Sequence, residues 1–452
     1  MIERSREQPN VSATLVVGLG KTGLTCVRHL RGLGRRVTAV DSRPSPPALA
    51  AVSEEFPEVH VTLGGFPGHA FQDVDDIVVS PGVSLAEPAL ADALAAHIPV
   101  CGDIELFARA VGPTPVVAVT GSNGKSTVTT MLADMLRMDG RRVAVGGNLG
   151  TPALSLLDGE RPEVYVLELS SFQLETAESL EPRVAALLNV SPDHMDRYAD
   201  VEDYARTKGR IFSGRGAMVL NRDDRRVAAM ARADRQVIFY TLNAPAQGEF
   251  GLRRIDDHEY LCAGESPVLA ADALAVAGRH NIANALAAMA VASVLGVSHQ
   301  IMARALEAFR GLAHRCQLVA EVGGVRWYDD SKATNVGATV AAIRGLGRDR
   351  PLILIAGGDA KGADFSALEA PLREHVRLLL LIGRDAARIA AVAEGGVEIV
   401  YADGMADAVD IAHRRAESGD SVLLAPACAS FDMYPKFEAR GDDFMQCVED
   451  ER

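Results

Sequence analysis

The sequence predicts an α/β protein of three domains, each built around a largely parallel sheet. Three observations carry that expectation. The chain has 452 residues, and domains of roughly 100 to 200 residues imply about three of them. Short apolar runs end in glycine-rich or polar turns and give way to segments of helical period, the alternation that parallel sheets require. That pattern restarts at Thr14–Gly23, Val116–Thr127 and Pro351–Gly362, each an apolar strand running into a glycine-containing loop. Pro99, Gly112 and Pro115 punctuate the first junction, and Gly311 follows an alanine-rich helical stretch from Asn284 to Leu295. The expected domains are therefore 1–104, 105–311 and 312–452.

Composition narrows the functional classes. Lys plus Arg number 46 against 60 Asp plus Glu, a formal charge of -14, which argues against a broad nucleic-acid or anionic-membrane surface. Any phosphate bound must be gripped locally. Hydrophobic residues make up 48% and charged residues 23%, too apolar a balance for a disordered chain. Cys26, Cys101, Cys262, Cys316, Cys428 and Cys447 are scattered without metal-ligand spacing, which fits a reducing compartment and argues against zinc or a disulfide framework. The opening MIERSREQPN has no apolar h-region, and no run approaches the ~18 apolar residues of a membrane span. The expectation is a cytoplasmic protein without nucleic-acid or membrane partners.

The first glycine loop is justified element by element. Leu15-Val16-Val17 reads as a buried strand, Gly18-Leu19-Gly20-Lys21-Thr22-Gly23 follows as G-x-G-x-x-G, and Leu24, Val27 and Leu30 then mark a helix. A second strand, Val37–Val40, ends at Asp41, close to the ~20-residue offset at which a Rossmann acid meets a ribose. The glycines let backbone approach a diphosphate whose charge the helix N-terminus meets. These residues leave NAD and other nucleotide diphosphates equally open.

The second loop is more specific. Val116–Val119 is a strand, Thr120-Gly121-Ser122-Asn123-Gly124-Lys125-Ser126-Thr127 is the turn, and Val128, Met131, Leu132, Met135 and Leu136 fall at helical spacing. Val119 stands where the first glycine of G-x-x-x-x-G-K-[ST] belongs, but Gly-Lys-Ser is intact. Backbone N–H groups would cradle ATP phosphates, Lys125 would neutralise the β and γ oxygens, and the Ser126 hydroxyl would ligate Mg²⁺. A strand Val164–Leu167 delivers Glu168 to the same sheet edge as a further metal ligand, and a strand Ala185–Val190 ends in Ser191-Pro192-Asp193-His194-Met195-Asp196. Alone, His194 reads as a capping or core histidine; its position at that edge argues for a ligand. Lys208, on the helical segment Tyr204–Ile211, reads by itself as a solvated lysine.

TGSNGKST, LELSSFQLE, NVSPDHMDRY, GRHNIANALAA, GLAHRC, DDSKATN, GGDAKGADF and APACASFD resemble, in order and along nearly the whole chain, the corresponding segments of the Mur ligases. TGSNGKST would also suit a folylpolyglutamate synthase. DSKATN, ACASFD and the GLGKTG opening are similar to the D-glutamate-adding branch, and the DNPR motif of the diaminopimelate- or lysine-adding branch is absent. The resemblance implies a Rossmann-like N-terminal domain, a P-loop ATPase-like central domain and a Rossmann-like C-terminal domain. It implies that the first domain binds UDP rather than NAD, with Lys21, Thr22, Asp41, Ser42, Arg43 and Ser80 at matching positions and Asn148 at a muramoyl contact.

By the same matching, Gly121 through Thr127 hold ATP, and Asn281, Asn284, His314, Arg315 and Asp330 contact the nucleotide. Ser126, Glu168, His194 and Lys208 hold two Mg²⁺ ions, Lys208 as a carbamate, and Lys125, His194 and Lys208 are the catalytic group. Lys332, Thr334, Lys361, Ser430 and Phe437 match the amino-acid site, where two lysines suit a dicarboxylate. The implied activity is ATP-dependent addition of D-glutamate to UDP-N-acetylmuramoyl-L-alanine through an acyl phosphate, in peptidoglycan precursor synthesis. The implied enzyme is a monomer whose C-terminal domain closes over ATP, carrying Lys361 and Ser430 inward. Competing readings are an NAD-dependent dehydrogenase built on GLGKTG and Asp41, a P-loop switch without ligase chemistry, and a ligase of this type with another amino-acid acceptor.

Overall fold

The structure, a computed structural model, describes residues 12–276, 278–347 and 350–451; the N-terminal MIERSREQPN lies outside the described residues. Three sheets organise it. In the first, five parallel strands run in the order His60–Leu63, Arg36–Asp41, Ala13–Val17, Asp76–Val79 and Val100–Cys101. The chain goes one way from Ala13–Val17 and then returns to its other side, which opens a crevice at the carboxyl end of that strand. The loop Gly18–Gly23 fills this place, with the helix Lys21–Gly32 starting inside it. Gly18 has φ +92°, and a Cβ on Gly23 would sit 2.0 Å from the Gly18 carbonyl oxygen. The third glycine therefore lets the helix press against the loop it starts from.

The second sheet has nine strands. Seven run parallel, with Val116–Thr120 flanked by Val164–Glu168 on one side and Val184–Leu187 on the other, and Phe250–Ile255 is the last of the seven. A meander, Phe250–Ile255, His258–Ala263 and Ser266–Ala270, extends the edge in antiparallel pairing. The helix Lys125–Met138 buries Val128, Met131, Leu132, Met135 and Leu136, and the alanine-rich helix beside it runs from Arg279 to Val294, five residues earlier than the composition suggests. Gly278, at φ +93°, starts it. The strand expected over Ala185–Val190 stops at Leu187, because Asn189 leaves the ladder to bond the glycine loop that follows Thr120.

In the third sheet, Val325–Asp329, Ser421–Leu424, Leu352–Gly357, Val376–Ile382 and Glu398–Tyr401 are parallel, and Gln317–Val322 pairs antiparallel at the edge. The three loops that leave Asp329, Leu424 and Gly357 come from adjacent strands.

The cores divide unequally. One apolar cluster runs continuously from Val16, Cys26 and Ile104 of the first sheet layer to Leu167, Leu187 and Phe212 of the second, and Phe107 meets Tyr165 edge to face at 5.3 Å across that border. The division expected at 104/105 falls inside the helix Asp103–Ala110, which belongs to this shared core. The third sheet has two clusters of its own, both made from residues from Cys316 onward. Hydrogen bonds from Arg315 and Asn335 join it to the rest.

Gly23→Ala should lower the thermal unfolding midpoint by several degrees, since backbone overlap of that kind costs on the order of 2 kcal/mol or more; differential scanning calorimetry checks it. An unchanged midpoint would mean the loop relaxes freely.

Candidate functional site

The second glycine loop leaves the strand Val116–Thr120 and is shaped by Gly121 at φ +158° and Gly124 at φ +82°. A Cβ on Gly124 would come within 2.3 Å of the Asn284 side chain, so the alanine-rich helix seats directly on the loop. Asn189 splints it from the other side. Its backbone oxygen accepts from the Ser122 N–H at 3.0 Å, its Oδ1 accepts from the Asn123 N–H at 2.8 Å, and its Nδ2 donates to the Asn123 carbonyl at 3.0 Å.

Two lysines meet behind this loop. Lys125 Nζ donates to the carbonyls of Gly121 at 2.8 Å and Ser122 at 2.9 Å, while Lys208 Nζ donates to the same Gly121 carbonyl at 3.0 Å. Lys208 is 1% exposed and its amine lies 4.4 Å from the Tyr204 ring centroid. Burial, reinforced by the neighbouring Lys125 charge, pushes the Lys208 amine well below the usual lysine range. Burial also lowers Lys125, against the pull of Glu168 and Asp193. Both are the desolvation effect, which disfavours an ammonium away from water.

Beside them lies a corner of oxygen donors. Ser126 Oγ donates to Glu168 Oε2 at 2.5 Å, Asn148 Nδ2 donates to Glu168 Oε1 at 2.5 Å, and Arg315 of the third domain donates to Ser126 Oγ at 2.7 Å. His194, at φ +59°, packs its ring 4.7 Å from that of Phe172. Burial lowers its pKa, opposed by Asp193 and helped by Lys361 and Lys208, which leaves a neutral imidazole suited to metal ligation.

The third domain reaches the loop through the segment after Asp329. Asn335 caps the helix Val336–Leu346, its Oδ1 accepting from the Ala338 N–H at 2.9 Å, and its Nδ2 donates to Asn123 Oδ1 at 3.2 Å and Asp193 Oδ2 at 3.1 Å. Gly337 follows, where a Cβ would be 2.8 Å from Ser191 Oγ. Buried Arg440 fixes the same segment by donating to Ser331 Oγ, the Ser331 carbonyl and the Cys428 carbonyl at 3.0, 2.9 and 3.2 Å.

Three contiguous cavities result. One of about 450 Å³ is lined by Lys21, Thr22, Asp41, Ser42, Arg43, Ser80 and Asn148. Asn148 also borders a cavity of about 300 Å³ lined by Ser122, Lys125, Ser126, Glu168, His194, Lys208, Lys332, Thr334, Lys361, Ser430 and Phe437. Asn123, Gly124, Arg315 and Lys332 border both this and a third cavity, of about 320 Å³, which adds Thr127, Asn281, Asn284 and Asp330. Burial pushes Asp330 up to about 7, against Arg315, and burial with the charges of Arg315 and Lys125 brings Lys332 down to about 8. Lys332 Nζ sits 4.2 Å from the Phe437 ring centroid.

Two expected contacts are arranged differently. His314 lines none of these cavities: its Nδ1 pairs with Asp329 Oδ2 at 2.6 Å, and Gly441 packs so closely that a Cβ would touch the ring. It braces the Asp329 corner. Asp41 borders its cavity with both oxygens already engaged by the Leu19 N–H and by Arg43. Burial alone would raise it, but those bonds hold its pKa down to about 2, and the group it offers the cavity is the Arg43 guanidinium. Asn189, Asp193, Tyr204 and Asn335 are additions. They lie in or near segments the sequence marked, yet no spacing rule singles out an asparagine that splints a loop.

Asn335→Asp keeps an acceptor for the helix cap but replaces the bridging amide with an anion facing Asp193. Small-angle scattering of the ligand-free variant should give a larger radius of gyration than wild type; an unchanged value would show that this bridge does not hold the third domain in place.

Family models match the chain in succession: Mur ligase MurD-like, N-terminal domain over residues 12–102, Mur ligase middle domain over 119–292, and Mur ligase, glutamate ligase domain over 314–428. The chain is 52% identical to the UDP-N-acetylmuramoylalanine–D-glutamate ligase of Nitrosococcus oceani, covering 98% of this chain and 97% of the relative. It is 48% identical to the ligase of the same name from Thiobacillus denitrificans, covering 96% and 95%. Among solved structures, MurF ligase from Thermotoga maritima in complex with ADP superposes with a TM-score of 0.62 at 18% identity, covering 98% of this chain and 96% of that one, a likeness of fold. With all three domain models matched in order and about half the residues shared over nearly the full length, the chain belongs to the Mur ligase family.

Proposed function

We propose that the protein is an ATP-dependent ligase that adds D-glutamate to UDP-N-acetylmuramoyl-L-alanine, acting as a cytoplasmic monomer in peptidoglycan precursor synthesis. In this reading residues 1–104 take the UDP, 105–311 the ATP and 312–452 the amino acid. One observation carries it: a single cavity joins the phosphate loop, Lys125 and Glu168 to Lys332, Thr334, Lys361, Ser430 and Phe437, with Asn148 opening it to the cavity of Lys21 and Arg43. The names of the full-length relatives support the same substrates. Among the described residues no helix is long and apolar enough to cross a membrane.

The chemistry follows from the order of the cavities. A carboxylate oxygen is a poor leaving group, so the terminal phosphoryl of ATP must first move onto it. The nucleotide occupies the cavity of Asn281, Asn284, Thr127 and Asp330, which points its phosphates at Gly124, Lys125 and Arg315. The muramoyl-alanine carboxylate arrives past Asn148 and attacks the γ-phosphorus; its bond to ADP breaks and an acyl phosphate forms. Lys125 and Arg315 stabilise the charge that spreads over the phosphoryl oxygens. The two carboxylates of D-glutamate meet Lys332, Lys361 and Ser430 against the face of Phe437. Its neutral amine then attacks the acyl carbon, the tetrahedral adduct expels phosphate, and the surplus proton leaves with it.

Ser126 and Glu168 are hard oxygen donors beside the phosphate loop, a sparse set of the kind magnesium uses when substrate phosphates complete its shell. An ion held there would draw charge from the β and γ oxygens. His194 and Lys208 would serve a second ion once Lys208 is a carbamate. A neutral lysine amine adds CO₂ and releases a proton, and the buried Lys208 amine, held below the usual range, meets that requirement.

The decisive assay is phosphate release with UDP-N-acetylmuramoyl-L-alanine, ATP and a panel of D- and L-amino acids. D-Glutamate should be the acceptor; release driven by another amino acid would move the assignment to a ligase with a different acceptor, and none at all would overturn it. Lys125→Ala should fold but lose on the order of a thousandfold or more in ADP production, read by coupled ADP assay. Lys208→Ala should be similarly impaired and partly rescued by millimolar acetate or formate; an unaffected rate would remove the carbamate.

A further inference from the structure

Arg197 lies between the cavities. It belongs to the second domain, and its guanidinium reaches across to the first, donating to the carbonyls of Pro81 at 3.0 Å and Val83 at 3.2 Å. The same group pairs with both carboxylate oxygens of Glu175 and stacks 4.2 Å from the centroid of the Phe172 ring. Arg197 and Glu175 are 12% and 14% exposed, and Tyr198 Oη donates to Glu175 Oε1 at 2.6 Å. Pro81 and Val83 line the cavity of Lys21 and Arg43. Phe172 lines the cavity of Lys125 and Glu168, where its ring packs on His194.

One planar cation thus grips the rim of the first cavity and the wall of the second. That rim is also tied at Ser80, whose Oγ donates to the Gly18 carbonyl at 2.7 Å, a bond within the first domain that does not involve Arg197. We propose that Arg197 is a positioning residue: it fixes the span between the bound nucleotide diphosphate of the substrate and the reacting carboxylate at the other end. This rests on the ligase reading above. A substrate anchored at one end and activated at the other reacts only if that span matches its length, and small misplacement of reacting atoms is costly. Lysine cannot substitute fully, because a single ammonium cannot stack on Phe172 while serving Glu175 and two carbonyls.

The test compares wild type, Arg197→Ala and Arg197→Lys in three measurements: UDP affinity by calorimetry, KM for ATP, and kcat/KM for UDP-N-acetylmuramoyl-L-alanine. Arg197→Ala should retain UDP affinity and KM for ATP within about threefold while kcat/KM for the muramoyl substrate falls roughly ten- to hundredfold. Arg197→Lys should show the same split with a smaller fall, and it serves as the folded variant if the alanine form is unstable. UDP affinity falling in step with kcat/KM would mean that Arg197 only shapes the first cavity, and an unchanged kcat/KM would mean that it only packs. Either overturns the proposal. A wild type that binds UDP but forms no product with any amino acid would instead overturn the ligase reading.

Discussion

Two lysine amines, one buried and one half-buried, sharing one backbone oxygen set the terms for this molecule. Lys125 and Lys208 both converge on the Gly121 carbonyl, and each is driven toward its neutral form by burial. Close cations withdrawn from water repel and are poorly solvated, and Glu168 and Asp193 offset that only in part, so a further anion at the loop, or one amine converted to something negative, would suit the arrangement. The glycine loop, the Asn189 splint and the Glu168 carboxylate can all be understood as holding that pair at a fixed spacing. A phosphate chain at the loop would relieve the strain on Lys125; a carbamate would relieve it on Lys208.

The domains are joined by contacts of two kinds. The first two domains share one apolar cluster across the helix Asp103–Ala110, so the substrate cavity and the phosphate loop are held together as a unit. The third domain keeps its own cores and meets the others through Asn335 and Arg315. Polar contacts of that kind exchange readily with water and are cheap to break and remake, whereas a continuous hydrophobic core is not.

Much of this was legible in the chain itself. Apolar strands ending in glycine loops marked the three sheets, and Glu168 and His194 stood out because parallel sheets present ligands at the carboxyl ends of their strands, whereas Lys332 was marked only by the resemblance of the DDSKATN segment. The less legible parts depend on side-chain partners from distant segments. His314 stands in a marked segment but is drawn behind the site by Asp329, and Asp41 occupies the ribose-acid position but is consumed by Arg43. The strand expected to continue to Val190 ends at Leu187 because a tertiary bond to the loop competes with the ladder. Lys208 illustrates the limit from the other side: its helix reads as solvated, and only the packing of Tyr204 above it shows that its amine is enclosed.

Gly337 carries a further consequence. The two lobes meet there, where a Cβ would lie 2.8 Å from the Ser191 hydroxyl oxygen and 3.1 Å from its Cβ, so any side chain makes Ser191 give way and the glycine works as a spacer of minimal thickness. Substitutions of graded bulk would act as shims, propping the lobes apart by successive increments without touching a catalytic group. Alanine favours helices more than glycine does, so the first such shim would strengthen the helix it sits in while jamming the joint. Local stability and global closure pull against each other at this single position.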